Sequence, residues 1–284
     1  MNLRWTLRRL RAYIGRPRTE IQIKAVSLDD GDRCKNPIFL IGVHRSGTSL
    51  TRRILNSHPS IACPPESFFF SHFVEMMADP LTYAGFRGLG YEDQAEVDKC
   101  LAKLASVHHE QYRIACGKAR WADKTPQYTA IIPQLGRLFG SRAQFVLLYR
   151  HPYDIVHSIY SLGWEMGEGG RDRFENNVLY VRERLSMMLD FERTSTQGVH
   201  RIKYEELVAN PEAELKATCD FLGEEYCDSM LDFNSGNHNV GTEDSQVRGT
   251  SKFQLSSNNW GDLSFDKMRV LKEHLSDIVS ELGY

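Results

Sequence analysis

The chain has 284 residues, of which 41% are hydrophobic, and its formal net charge is −2. A chain of this length can bury roughly three quarters of the surface that it exposes when unfolded, which is compatible with one large domain or two small ones. No repeat, low-complexity tract or Pro-rich linker divides the sequence, so we expect a single domain over residues 36–284. The balanced charge argues against a dedicated nucleic-acid-binding protein, although a local basic cleft is compatible with it.

Six cysteines are scattered along the chain without a CxxC or CxxH pairing: Cys34, Cys63, Cys100, Cys116, Cys219 and Cys227. This spacing is typical neither of a zinc site nor of a disulfide framework, so we expect reduced thiols and a cytoplasmic location. A pairing of Cys219 with Cys227 stays open, since nothing in the sequence requires it.

Residues 1–35 form a separate basic, amphipathic segment, in which residues 2–18 mix apolar side chains with arginines. The segment lacks the uninterrupted apolar core of a signal peptide and is too charged to span a bilayer. Two interpretations stay open. The segment could lie on an anionic membrane or meet an acidic partner, or it could be a terminal helix that docks on its own domain and leaves its arginines in water.

The next segment predicts a strand, a loop and a helix. Residues 37–43 are a short apolar run, which suits a strand that is buried on both faces of a parallel sheet. In residues 48–58, apolar side chains recur at helical spacing. A strand, a small-residue loop and a helix in this order form the geometry of a phosphate cradle.

Further strands and helices alternate along the rest of the chain. A polar, helix-prone stretch within about 71–120 predicts a helical insertion, and strands are expected over 143–150 and 200–207. Pro152 starts one following helix; Asn210, Pro211 and Gly223 mark the cap, first turn and end of the other. Residues 265–283 predict a closing helix. The alternation indicates an α/β fold with a P-loop-like central parallel sheet flanked by helices.

The loop after the first strand lacks a lysine. Gly42 and Gly47 are spaced as in G-x-x-x-x-G-K-[ST], but Thr48 stands where the lysine belongs. Without it, handling the γ-phosphate of ATP or GTP is hard to explain. The backbone amides of residues 45–49 would still bind an anion, and Arg45 adds a forked donor. We therefore expect a phosphate or sulfate that needs no metal; a strand-to-helix turn with small residues by chance is the alternative.

The stretch HRSGTSL (44–50) resembles the 5′-phosphosulfate loop of sulfotransferases that use 3′-phosphoadenosine 5′-phosphosulfate (PAPS), in the arginine-containing style of tyrosylprotein sulfotransferases and related bacterial enzymes. FVLLYRHPYDIVHSIY (145–160) resembles the family's second signature, and IKYEELVANPE (202–212) its tyrosine-containing segment. EDSQVRGTSKFQLSSNNWGDLS (243–264) resembles the loop that closes over the nucleotide. The resemblance implies PAPS as co-substrate, its product 3′-phosphoadenosine 5′-phosphate (PAP), and these cofactor-binding residues: Arg45, Ser46, Gly47, Thr48, Ser49, Arg150, Ser158, Tyr204, Ser245, Gln246, Ser256 and Ser257.

Sulfuryl transfer needs a base for the acceptor's proton and cations beside the leaving phosphate. Glu66, next to an aromatic run, takes the position of the base in the resembling enzymes; a capping or surface glutamate is the alternative. WADKTPQY (121–128) resembles a family motif in which the lysine contacts the sulfate and stabilises the leaving oxygen, so Lys124 is expected to share with Arg45 the developing negative charge. A salt bridge from Lys124 to Asp123 is the alternative. His44 and His151 lie beside cofactor-binding positions and could hydrogen-bond loops or act as bases.

The acceptor is the least determined element. The aromatic residues 68–73, with Tyr83, Phe86 and Trp164, could line a pocket or belong to the core. Glu165, Glu168 and Asp172 could attract a cationic acceptor or solvate a loop. We expect a small metabolite or natural product with a hydroxyl or amine, followed by peptide and glycan acceptors, and no nucleic acid. The alternatives are a P-loop kinase or NTPase and a non-catalytic nucleotide-binding protein.

Overall fold

Five parallel strands form the central sheet, which we describe from a computed structural model over residues 33–234 and 252–284. In chain order the strands are β1 (Ile38–Gly42), β2 (Ile61–Ala62), β3 (Arg120–Lys124), β4 (Gln144–Tyr149) and β5 (Gly198–Lys203). Their order across the sheet is β2-β3-β1-β4-β5, and every neighbouring pair is parallel. This confirms the predicted α/β fold with a central parallel sheet.

The central strands are buried on both faces, which explains their apolar sequences. All five residues of β1 are buried, and Ile38 is in register with Gln144 of β4. Because successive side chains of a strand point to opposite faces, Phe39 joins the core on one side and Leu40 the core on the other. Parallel sheets are stable only when helices cover both faces in this way.

Ten α-helices lie within the described ranges: α1 (Thr48–Ser57), α2 (Phe70–Ala78), α3 (Pro80–Gly88), α4 (Gln94–Ala115), α5 (Ile132–Phe139), α6 (Pro152–Ser161), α7 (Arg173–Thr194), α8 (Tyr204–Ala209), α9 (Pro211–Leu222) and α10 (Phe265–Glu281). Helices α1, α8 and α9 cover one face of the sheet, and α2, α4, α5, α6, α7 and α10 cover the other. Short 3₁₀ turns cover Pro126–Ile131, Gly140–Arg142, Asp228–Met230 and Asn259–Asp262. The helices therefore complete a three-layer α/β/α arrangement.

Local chain chemistry explains several helix ends. The carboxylates of Asp93 and Asp172 accept backbone N–H bonds at the starts of α4 and α7. Gly223 ends α9 with a φ of 72°, in the left-handed region that glycine adopts without strain. Asn210 occupies the predicted cap position before Pro211, but its side chain makes no capping hydrogen bond.

One expected strand is shorter than predicted, and strands β2 and β3 were not predicted. The strand expected over 200–207 ends at Lys203, because Tyr204 already begins α8. Strand β3 was not predicted, because Arg120, Asp123 and Lys124 make its sequence polar; all five of its residues are nevertheless buried. Helices α2, α3 and α4 lie between β2 and β3, where the helical insertion was expected.

The predicted amphipathic segment over residues 2–18 lies outside the described residues. Among the helices that the structure describes, none combines the length and apolar character needed to cross a bilayer. All six cysteines are described, and each is a free thiol, including Cys219 and Cys227.

Candidate active site

The carboxyl ends of β1, β3 and β4 bring the predicted site residues to one edge of the sheet. The loop 43–47 follows β1, Lys124 ends β3, and Arg150 follows β4. In open α/β sheets, ligands bind in the crevice outside these strand ends. The topology therefore places the candidate loop, the candidate lysine and the candidate arginine around one crevice.

The loop after β1 has an unusual backbone. Gly47 has a φ of 96° and Arg45 a φ of 71°, both in the left-handed region. Ser46 is buried, and its hydroxyl donates to the carbonyl of Val43 at 2.7 Å. A Cβ added to Gly47 would lie 2.5 Å from a ring carbon of Tyr204, so the ring packs directly on the loop. Only glycine fits this position.

The start of α1 is arranged for an anion. Gly47 is its N-cap residue and provides no side chain to cap the helix, while Thr48 and Ser49 form the first turn. The free amides and the helix dipole give such an end a partial positive charge. No acidic residue lies in this first turn to compensate that charge. The helix end is therefore available to a phosphate or sulfate group.

Arg150 joins three parts of the site. Its Nη1 donates to the carbonyl of Arg45 at 2.7 Å, and its Nη2 donates to the carbonyl and hydroxyl of Ser256. The guanidinium lies 4.8 Å from the ring centroid of Tyr204. Its Nε is buried without a hydrogen-bond partner in the described ranges 33–234 and 252–284. Burial is the main cause that lowers the pKa of Arg150, while the nearby Tyr204, Asp154 and Glu205 act in the opposite direction.

Glu66 and Lys124 form a buried ion pair at the mouth of the loop. The Lys124 Nζ lies 2.6 Å from Glu66 Oε1, and the two side chains are 1% and 13% exposed. The same Nζ donates to the hydroxyl of Ser49 at 3.3 Å. The contact with Ser49 places both charged groups beside the start of α1. The alternative salt bridge from Lys124 to Asp123 is wrong, because Asp123 binds His109 on the other side of β3.

Arg45 links the loop to α6. Its Nε donates to the hydroxyl of Ser158 at 3.0 Å, and its guanidinium lies 5.8 Å from the ring centroid of Trp164. The side chain of Arg45 thus contacts Ser158, and the backbone carbonyl of Arg45 accepts a hydrogen bond from Arg150. The two arginines and the serine therefore lie together at the loop after β1.

The C-terminal loop is fixed over the crevice by α6. The buried carboxylate of Asp154 accepts the backbone N–H groups of Asn258 and Asn259 at 3.0 and 2.9 Å. The indole of Trp260 stacks on His151, with ring centroids 5.7 Å apart. Ser256 reaches Arg150, as given above. Asp154 is not among the residues predicted from the sequence, where its only signal is an acidic residue in a first helical turn.

Three other residues of this loop are predicted to bind the cofactor: Ser257, Ser245 and Gln246. Ser257 is half-buried, and no hydrogen bond of its side chain is found within the described part of the chain. Ser245 and Gln246 lie outside the described residues. The hydroxyl of Tyr204 donates to the carbonyl of Gln254 at 3.1 Å, so the predicted adenosine-side tyrosine also contacts this loop.

His44 faces the helix α7 through a contact that the sequence did not predict. Its Nδ1 lies 2.6 Å from the hydroxyl of Tyr180. Burial, followed by nearby positive charges of which Lys124 has the largest effect, lowers the pKa of His44 to about 4. The imidazole is therefore neutral at neutral pH. Tyr180 gave no signal in the sequence, because it lies 136 positions away and only the fold brings it to the loop.

The other histidines near the loop have structural contacts. His58 binds the carbonyl of Glu225 at 2.9 Å, and His151 accepts the N–H of Tyr153 at the start of α6. His157 lies 3.3 Å from Asp262. Among residues 33–234 and 252–284, no cluster of three or more histidine, cysteine or acidic side chains is placed to hold a metal ion.

The residues considered for the acceptor divide into core and surface. Phe70 is fully buried, while Phe69, Phe73, Tyr83 and Phe86 pack on the core from partly buried positions. Phe68 and Trp164 are 38% and 41% exposed.

Two of the acidic residues considered for a cationic acceptor have other partners. Asp172 caps α7, and Glu165 accepts a hydrogen bond from Asn176 at 3.1 Å.

This arrangement combines an anion-binding helix end, a buried carboxylate in contact with an ammonium, and two arginines around one crevice. The ammonium comes from β3, and Thr48 occupies the position in the loop where a P-loop NTPase carries lysine. Such a set can bind a doubly anionic ligand, remove a proton and stabilise a leaving oxyanion.

Comparisons with known proteins identify the family. The model of the sulfotransferase family matches residues 37–228, which is more than half of the chain. The nodulation protein NoeE of Sinorhizobium fredii is 34% identical over 132 residues, covering 43% of this chain and 30% of that protein. A putative protein-tyrosine sulfotransferase of Caenorhabditis briggsae is 26% identical over 202 residues, covering 68% of each protein. The match with NoeE therefore spans less than a third of that protein.

A solved structure supports the same assignment at the level of the fold. The sulfotransferase domain of the Synechococcus PCC 7002 olefin synthase superposes with a TM-score of 0.61 at 20% identity, over 88% of this chain and 98% of that domain. This superposition shows the likeness of the fold, and the match of the family model over residues 37–228 shows the family. The chain belongs to the sulfotransferase family.

Proposed function

We propose that this protein transfers the sulfuryl group of PAPS to a hydroxyl or amine of an acceptor. The observation that carries the proposal is the Glu66–Lys124 ion pair beside Ser49 at the start of α1. In this proposal the pair supplies a base and a cation beside the sulfuryl group of a donor bound to the start of α1. A module that only binds a nucleotide needs no such pair.

The donor fits the charges and shapes of the crevice. We assign the 5′-phosphosulfate to the side chain of Arg45 and the amides of residues 46–49. The 3′-phosphate belongs with Arg150, whose buried Nε lacks a partner within the described ranges, and with the hydroxyl of Ser158. Tyr204, packed on Gly47 and Arg150, would contact the adenosine. The loop residues Ser256 and Ser257 would cover it, with Ser245 and Gln246 as further candidates from the resemblance.

Each charged residue has one step in the proposed transfer. Glu66 takes the proton of the acceptor hydroxyl, whose oxygen attacks sulfur in line with the bond to the 5′-phosphate. That sulfur–oxygen bond breaks, its electron pair stays on the phosphate oxygen, and PAP leaves. Lys124, together with Arg45, stabilises the negative charge that develops on this oxygen. These cations supply positive charge that a metal supplies in many phosphoryl-transfer sites, so the proposed reaction includes no metal.

We propose a small hydroxylated or amine-bearing molecule as the acceptor. Phe68 and Trp164 expose aromatic surface near the crevice and suit a flat or apolar substrate. Tyrosine in a peptide is the second candidate, because the similarity to the Caenorhabditis briggsae protein covers 68% of both chains. Glycan hydroxyls are the third.

A kinase or NTPase is the alternative from another class. It is disfavoured because Thr48 replaces the phosphate-loop lysine, and because Lys124 reaches the crevice from β3 in contact with a carboxylate. A glutamate there would repel the γ-phosphate of a nucleoside triphosphate unless a cation separated them.

The test is an acceptor screen with ³⁵S-labelled PAPS. Three panels separate the candidates: phenols, alcohols and amines of low mass; tyrosine-containing peptides; and oligosaccharides. We expect label in at least one panel, with equimolar release of PAP, and loss of transfer in Glu66→Gln. Transfer of phosphate from ATP to members of the same panels, with PAPS inert, would contradict the proposal.

A further inference from the structure

The backbone that follows Glu66 is held by two hydroxyl groups from the segment that follows Lys124. The hydroxyl of Thr125 accepts the N–H of Ser67 at 3.1 Å, and that of Tyr128 accepts the N–H of Phe70 at 2.9 Å. We propose that Thr125 and Tyr128 are positioning residues that set the geometry of the Glu66–Lys124 pair. The inference rests on the proposed function of that pair.

In both backbone hydrogen bonds the N–H is the donor and the hydroxyl oxygen is the acceptor. The hydroxyl of Thr125 has one hydrogen, which it donates to Asp123 Oδ1 at 2.9 Å, so its lone pair is available to Ser67. Burial raises the pKa of Tyr128, so its hydroxyl keeps the proton, and it shares a further hydrogen bond of 2.8 Å with the Ser67 hydroxyl. Ser67, the residue next to Glu66, is thus held through both its backbone and its side chain.

The chain between the two hydrogen bonds has a strained backbone. Phe68 has a φ of 62°, in the left-handed region that bulky residues rarely adopt. Such a conformation persists only where the surroundings impose it, and strain of this kind is found at functional sites. Here the bonds to Ser67 and Phe70 lie on both sides of Phe68. The hydroxyls of Thr125 and Tyr128 therefore impose a shape that this segment would not adopt alone.

A buried pair supports the hydroxyl of Thr125 from behind. Asp123 Oδ2 lies 2.8 Å from His109 Nε2, and both side chains are almost fully buried. The Nδ1 of His109 is buried without a partner among the described residues, so the hydrogen belongs on Nε2, which donates to the carboxylate. The ring of His109 stacks on Phe70 at 5.1 Å, which closes the network on the segment that it holds.

The network explains how the end of β3 can fix the positions of both Lys124 and Glu66. Asp123, Lys124 and Thr125 are consecutive, and alternation along β3 sends Lys124 toward the loop and Asp123 toward α4. Any movement of this strand end moves Lys124 and the Thr125 hydroxyl together. Glu66 moves with them, because its neighbour Ser67 is bound to Thr125, and the 2.6 Å contact between Lys124 Nζ and Glu66 Oε1 is maintained.

The test compares Thr125→Val, which keeps the shape but removes the hydroxyl, with Thr125→Ser, which restores it. Thr129→Val is the matched control, because its hydroxyl is equally buried in the 3₁₀ turn that Thr125 precedes, but donates to the carbonyl of Pro126. The first measurement is amide hydrogen exchange of residues 67–70, which needs no acceptor. We expect at least tenfold faster exchange in Thr125→Val, and wild-type exchange in Thr125→Ser and Thr129→Val.

The second measurement is the rate of PAP release from saturating PAPS with water as the acceptor. We expect a loss of about 10- to 100-fold in Thr125→Val with the PAP Kd within twofold of wild type. In the Glu66→Gln background the same change should have no further effect, because Thr125 acts through Glu66.

Three outcomes would overturn the inference: unchanged exchange in Thr125→Val, an equal loss in Thr125→Ser, or a full additional loss in the Glu66→Gln background. Failure of the proposed function looks different. In that case the wild-type protein neither binds PAP nor consumes PAPS, while the exchange experiment still reports whether Thr125 holds the segment.

Discussion

The ammonium of Lys124 contacts the carboxylate of Glu66 at 2.6 Å, although the two residues lie 58 positions apart. One comes from the end of a buried strand and the other from the loop before α2. A buried ion pair is weak evidence for stability, since the desolvation of both charges offsets most of the attraction. Its position beside the start of α1 makes a role in chemistry the better explanation.

Replacing Glu66 with glutamine should abolish transfer while the fold is kept. The amide still offers an oxygen to Lys124, so the ammonium is not left without a partner. Loss of a general base typically lowers a rate by about 10²- to 10⁴-fold. Steady-state kinetics with PAPS should show this loss in kcat with a nearly unchanged donor KM. A similar kcat in the variant would show that another group takes the proton.

Replacing Lys124 with methionine should affect both transfer and the pair. The methionine fills the space without a charge, so we expect a loss of about 10²- to 10³-fold in kcat, as for other groups that stabilise a developing oxyanion. The comparison is single-turnover PAP release from PAPS. If release slows no more than in Lys216→Met, whose ammonium is paired with Glu212 on the surface of α9, Lys124 has no role in the step.

Arg150→Ala should weaken PAP binding by roughly 100-fold, since a charge-assisted contact to a buried phosphate contributes about 2–3 kcal/mol. Arg150→Lys retains the charge but not the fork, and should recover part of the affinity. Because Arg150 also binds the carbonyls of Arg45 and Ser256, thermal unfolding must be followed in parallel. Equal affinities for PAP in wild type and Arg150→Ala would contradict the assignment of the 3′-phosphate to Arg150.

Gly47→Ala should destabilise the protein by about 2–4 kcal/mol, through a disfavoured φ and a clash with the Tyr204 ring. Gly223→Ala is the control: its φ of 72° carries a similar backbone cost, but a Cβ there meets nothing within 4 Å. Urea unfolding should give a clearly larger loss for Gly47→Ala. Equal losses would mean that the ring does not rest on the loop.

His44 makes stability depend on pH in a defined window. Its pKa falls from 6.5 to about 4 on folding, so the unfolded chain binds more protons between these values. Stability is therefore fully present above pH 6.5 and falls as the pH drops toward 4, by up to about 1.4 kcal/mol per pH unit from this group.

The check is urea unfolding from pH 7 to 4.5. His44→Asn should flatten the dependence relative to wild type. An identical slope in wild type and His44→Asn would contradict the assignment.

The sequence revealed those parts of the fold that rest on local patterns. Strands β1 and β4 are continuous apolar runs, and α9 is bounded by Asn210, Pro211 and Gly223, so each could be recognised from its own residues. Strand β3 could not, because most partners of its buried charges lie far away in the sequence, such as Glu66 for Lys124 and Glu224 for Arg120.

The same reasoning applies to the site. Glu66, Lys124 and Arg150 could be proposed from the sequence, because each lies in or near a stretch that resembles a motif of sulfotransferases. The partners that orient the loops could not: Tyr180 and Asp154 act through contacts 136 and more than 100 positions away. Had β3 been recognised, the alternation of side chains along a strand would have excluded the Asp123–Lys124 salt bridge at once.

Calorimetric titration with PAP in the absence of divalent metal tests the central claim most directly, with ATP and GTP plus magnesium as the comparison. A crevice built from Arg45, Arg150 and the start of α1 for a 3′,5′-bisphosphate should bind PAP with a Kd on the order of micromolar, about −8 kcal/mol, and bind the magnesium nucleotides far more weakly. Tight binding of ATP or GTP that requires magnesium, with no heat from PAP, would contradict the account and identify a nucleoside triphosphate as the ligand of the loop.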